Sequence, residues 1–66
     1  MNIDSLLPAL LTPRQAADLL QVPTSTLAVW RSTGRVQLPY LKLGRHVRYR
    51  RDDVERWLRE HEVRSG

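Results

Sequence analysis

The side chains of this sequence best equipped to do chemistry are its cations, and they are not spread evenly. Arg31, Arg35, Lys42, Arg45, Arg48, Arg50 and Arg51 all fall within residues 31–51, with no acid among them. Positions 52–62 reverse the balance, with Asp52, Asp53, Glu55, Glu60 and Glu62 against Arg56 and Arg59. Charge that serves only solubility mixes its signs. A segregated cationic run in a chain of formal net charge +4 suits an anionic partner, and nucleic acid is the first candidate. Taken alone, such a run also describes a solvated face.

Other chemistries are poorly served. The chain has no cysteine, so it offers neither a disulfide framework nor a thiolate metal site. His46 and His61 are too distant in sequence to form a local ligand pair. The adjacent Asp52 and Asp53 stand where a helix begins, the ordinary place for capping acids. No nucleophile, base and orienting group are arranged for catalysis. The expectation is a binding protein, not an enzyme, with no cofactor and no metal.

Short elements must position the cations. Sixty-six residues make one small domain, in which only about 60% of the unfolded chain's surface becomes buried. Residues 1–11 read as a flexible N-terminal arm. Pro8 interrupts their apolar residues, which neither approach the ~18 of a membrane helix nor resemble a signal peptide. No membrane contact and a cytoplasmic setting on nucleoid DNA are expected.

Thr12-Pro13-Arg14-Gln15 opens a first helix with a cap, a first-turn proline and a capping box. Ala16, Leu19 and Leu20 give it one apolar stripe, and Val22-Pro23 ends it. A second helix is predicted over residues 24–33, closed by Gly34. Leu27 and Trp30 face inward, and Thr24, Ser25, Ala28, Val29, Arg31 and Ser32 lie on or beside the outward face.

The period then shortens to two. Leu41, Leu43, Val47 and Tyr49 alternate with Lys42, Arg48 and Arg50 about a loop, Gly44-Arg45-His46. This predicts a two-stranded wing, apolar on one side and arginine-rich on the other. A third helix follows, capped by Asp52 with Glu55 as box partner; Val54, Trp57, Leu58 and His61 form its stripe, with Trp57 as a lid on the core. Residues 12–61 thus form the domain and residues 62–66 fray.

The fold expected is mainly α with a small β-hairpin: three helices and a two-stranded wing, a winged helix-turn-helix. A slim helix fits the major groove, where base edges are distinguishable. Thr24, Ser25 and Arg31 are placed to reach phosphates or bases, and Ala28 or Val29 a thymine methyl. Arg45 and His46 at the hairpin tip suit a minor groove, flanked by Lys42, Arg48 and Arg50 along the phosphates.

Several segments resemble the MerR-like excisionase family: Leu11-Thr12-Pro13 with Ala16-Ala17 and Leu20; Val22-Pro23-Thr24-Ser25-Thr26-Leu27 with Trp30-Arg31 and Gly34-Arg35; and Leu38-Pro39-Tyr40 with Lys42-Leu43-Gly44-Arg45, Arg48-Tyr49, Asp53-Val54 and Trp57-Leu58. The likeness covers residues 11–58 and lies in the ordered set, since no one piece is specific. It implies a winged helix that binds double-stranded DNA, with Thr24, Ser25 and Arg31 acting from the second helix and Arg45, His46 and Arg48 from the wing. Pro23 stands where relatives often have a capping serine, and Val29 where many carry arginine or lysine. The latter shifts the weight of recognition toward the wing.

The family's longer regulators continue into a dimerising helix and an effector domain, for which this length leaves no room. Copies side by side on repeated sites, bending the DNA beside an integrase or other recombinase, are the arrangement the resemblance implies: a recombination directionality factor. A small transcriptional regulator with the same binding face is the alternative. A protein-interaction adapter whose wing meets an acidic partner is a third reading.

Overall fold

The computed structural model describes residues 9–62. The expected arm, up to Pro8, and the expected frayed end from Val63 lie outside those residues. The elements run β1 (Leu10–Leu11), α1 (Pro13–Leu20), α2 (Thr24–Thr33), β2 (Leu41–Leu43), β3 (His46–Arg50) and α3 (Arg51–Glu60). This is the expected winged helix-turn-helix: three helices with a small antiparallel hairpin.

Helix α1 starts as its sequence dictates. The Gln15 N–H donates to Thr12 Oγ1 at 3.1 Å, and the Thr12 N–H donates to Gln15 Oε1 at 2.9 Å. Two of the orphan donors at the helix start are thereby satisfied. The helix stops at Leu20 because Gln21 turns left-handed, with φ of 57°. The N–H groups of Gln21 and Val22 then reach back to the carbonyls of Asp18 and Ala17, a Schellman closure. Thr12→Ala is expected to cost about 1 kcal/mol and to lower Tm by roughly 4–8 °C, as a thermal melt would show.

Pro23 holds the extended backbone that precedes α2 but supplies no side-chain cap. Gly34 closes the helix at φ 67°, its N–H donating to the Trp30 carbonyl at 3.0 Å. That backbone conformation is cheap only for glycine. The chain then crosses without regular structure to the hairpin, pinned by the buried side chain of Leu38.

Three expectations need correction. Leu10 and Leu11 are not part of an arm. They form a third strand in the sheet order β1-β3-β2, with Leu10 opposite Arg50 and Leu11 opposite Tyr49. Without it the outer edge of β3 would present unpaired backbone groups, and Leu11 fills the core at 3% exposure.

The hairpin loop is also shorter than expected. Leu43 pairs with His46, Lys42 with Val47 and Leu41 with Arg48, so only Gly44 and Arg45 lie in the turn. Gly44, at φ 63°, occupies the position a two-residue type II′ turn reserves for glycine. Shifting the register by one residue exchanges every facing pair. Cross-strand partners share a face, so Leu41 and Leu43 lie beside Arg48 and His46, while Lys42 shares the side of Val47 and Tyr49. The wing is therefore mixed on both faces.

Finally, α3 begins at Arg51, directly from β3, with Arg50 in the capping position and no side-chain cap. Asp52 does not cap, because the strand runs on until Asp52 is already helical. Asp52 and Asp53 in the first turn act instead on the positive end of the helix dipole.

The three helices and β3 enclose one small core of Leu11, Ala16, Ala17, Leu20, Leu27, Leu38, Tyr49 and Val54. No polar residue is buried within it among the described residues. Trp30 and Trp57 pack at its rim, their rings tilted with centroids 5.5 Å apart. Trp57 in turn stacks on His61 at 3.9 Å, and His61 Nδ1 donates to the Trp57 carbonyl at the end of α3.

Candidate nucleic-acid interface

Each residue of α2 advances 100° around the helix. Leu27 points into the core at 0% exposure, so the far side is set by Ser25, Ala28, Val29 and Ser32. All four are exposed, as is Thr24, and Val29 is 54% exposed. The strip carries no acid and no long side chain, which lets the helix backbone come close to another surface. The Ser32 and Thr33 hydroxyls donate to the Val29 carbonyl at 3.1 and 2.8 Å and are occupied inside the helix. Among the described residues the hydroxyls of Thr24 and Ser25 have no such internal bond, leaving them available to a ligand.

The wing places its cations unequally. Arg45 and His46 are exposed at the turn. His46, Arg48 and Arg50 alternate along β3 and share the face opposite Tyr49. Arg48 is half-buried, and its Nη1 donates to the Val47 carbonyl at 2.7 Å, which bends it back along its own strand. Arg50 reaches Asp53 Oδ2 at 3.7 Å. With its side chain 55% exposed, that pair only weakly restrains it. Lys42 is exposed on the other face of β2. Arg35 and Arg51, just outside these elements, are exposed and add to the same positive field.

Arg31 behaves differently from the rest. It is half-buried, and its Nη1 donates to the Tyr49 hydroxyl across the molecule at 2.6 Å. Its guanidinium carbon lies 6.0 Å from the centre of the Tyr49 ring. The pair belongs to the wall of an open groove that Leu27, Trp30, Leu38 and Tyr40 also line. Sequence reasoning put Tyr49 on the apolar side of the wing but gave it no role toward the helix. The one available signal was general: a buried tyrosine usually finds a partner for its hydroxyl. Eighteen residues separate the two, and nothing local indicates the pairing.

The site is thus a neutral, close-fitting helix strip, tied through Arg31 to a hairpin with exposed cations. Among the described residues no helix is long and apolar enough to cross a membrane. A helix pair with a bare second helix, followed by a basic hairpin, defines a winged helix-turn-helix DNA-binding protein, and double-stranded DNA is its partner. Residues 10–62 match the helix-turn-helix domain family, and the chain belongs to it. No curated protein and no solved structure gives a significant match.

Proposed function

We propose that this chain is an architectural DNA-binding protein of the excisionase type. Copies of it bind side by side on attachment-site DNA, bend it, and direct a partner integrase toward excision. The observation that carries the reading is a short winged helix-turn-helix belonging to a family found in excisionase-like proteins. Its α2 strip bears no long base-reading side chain, which favours recognition through shape and groove contacts over a dense set of base hydrogen bonds.

In this reading Thr24 and Ser25 bond phosphates or base edges from α2, and Ala28 and Val29 meet thymine methyls. Arg45 and His46 enter the adjacent minor groove, while Lys42, Arg48 and Arg50 follow the phosphates. The chain itself breaks no bond; strand exchange belongs to the integrase. It acts in the cytoplasm, on DNA.

Recombination in vitro tests this. Purified protein added to integrase and supercoiled attachment-site DNA should raise the yield of excised product and suppress the reverse reaction. An unchanged yield, with the DNA demonstrably bound, would reassign the same surface to transcriptional control.

A further inference from the structure

The part of α2 that faces the protein makes three different attachments, at positions i, i+3 and i+4. Leu27 enters the core, Trp30 meets Trp57 of α3, and Arg31 meets Tyr49 of β3. Among the described residues the last is the side-chain hydrogen bond that joins the helix to the wing. Resting on the reading of α2 and the wing as one DNA-binding surface, we propose that Arg31 is a positioning residue: its bond to the Tyr49 hydroxyl is the latch that sets the recognition helix against the wing, and it does not touch DNA.

Three observations converge on this. Arg31 lies about 40° around the helix from Leu27, on the core-side flank, whereas Ser25 lies about 160° away. A guanidinium directed at the exposed strip would have to leave that flank. Second, the acceptor is fixed. The Tyr49 ring is 1% exposed and held within β3, between β1 and β2. Third, among the described residues Arg31 has no carboxylate partner, since the ion pair found there joins Arg50 and Asp53. A charged donor meeting a rigid neutral hydroxyl forms a strong, directional bond. With Leu27 as the one buried residue of α2, this bond weighs heavily in fixing the helix.

A helix and a hairpin that must engage neighbouring grooves of one duplex lose affinity when their relative orientation is free, because binding must then order it. Tyr49→Phe removes only the hydroxyl and keeps the buried ring. Arg31→Met keeps the unbranched apolar stem of the side chain and removes its donors. Each should weaken binding to duplex DNA by about threefold to tenfold, the range of one missing hydrogen bond. The double variant should bind no more weakly than either single one, as coupled groups do. The slope of log K against log salt should stay at the wild-type value, since every phosphate remains engaged.

Amide hydrogen exchange in the free protein supplies a readout that needs no DNA. Tyr49→Phe should speed exchange across the β2–β3 ladder and in the second half of α2. Additive effects, or a salt slope reduced by about one in Arg31→Met while Tyr49→Phe binds normally, would place Arg31 on a phosphate and overturn the latch. Unchanged exchange in Tyr49→Phe would overturn it as well. A wild-type protein that fails to bind duplex DNA would instead refute the shared surface, with the exchange result still deciding whether the latch exists.

Discussion

Replacing Leu27 by alanine is expected to remove about half of the chain's folding stability, although the substitution lies outside every proposed DNA contact. Truncating a buried leucine costs about 2–5 kcal/mol, because the forfeited transfer energy is joined by the cost of the cavity left behind. A domain of 66 residues has a total stability on the order of 3–10 kcal/mol. Leu27 is fully buried and is the one buried residue of α2. The core holds seven other side chains, two of them alanines, so little can move in to fill the gap. A far-UV circular dichroism melt would show a lowered, broadened transition. Val29→Ala, at the 54% exposed position of the same helix, is the control and should melt within about 0.5 kcal/mol of wild type. A cooperative Leu27→Ala melt close to wild type would mean that α2 is anchored elsewhere.

What could be read from the sequence, and what could not, divides by the range of the interaction. Thr12, Pro13 and Gln15 act within four residues, and the capping box forms as their spacing requires. Helix α2 runs over Thr24–Thr33 as expected because Pro23 and Gly34 fix both of its ends by backbone conformation alone. The wing was legible as a hairpin but not in its pairing. Apolar and basic residues alternate on both arms, so a loop of two or of three residues fits the same alternation. Only the turn geometry at Gly44 chooses between them, and that choice decides which leucines lie beside which arginines. Likewise, nothing near Leu10 and Leu11 announces a strand, because the backbone they pair with lies almost forty residues further on.

The candidate site divides in the same way. The exposed strip of α2 followed from helical periodicity once Leu27 was taken as the inward residue. The separate roles of the arginines did not. Arg31, Arg45 and Arg48 are chemically identical, yet one donates to Tyr49, one is exposed at a turn and one folds back on its own strand. Composition sets the field around the molecule; tertiary contacts decide which charges a ligand can use.

Those usable charges set the second large effect, a steep fall in DNA affinity with salt. If about four to six phosphates are neutralised by the wing and its neighbours, log K should fall against log salt with a slope of about −4 to −5. Between about 50 and 200 mM salt that amounts to a drop of roughly 250- to 1,000-fold. Fluorescence anisotropy on a labelled duplex would measure it. Arg45→Ala should weaken binding on specific and random sequences alike and make the slope shallower by about 0.9, because a cation in the minor groove still releases a counterion and reads little sequence there. Ser25→Ala should leave the slope unchanged and instead shift preference among sites, by about 1–3 kcal/mol for each base no longer read. A slope near zero, or no duplex binding even at low salt, would mean that the cationic hairpin serves an acidic protein surface. The helix strip would then have to be reconsidered as part of a protein–protein interface. Equal effects of Ser25→Ala on all sequences would keep DNA as the partner but confine α2 to the phosphate backbone, leaving recognition to the wing and to the deformability of the duplex.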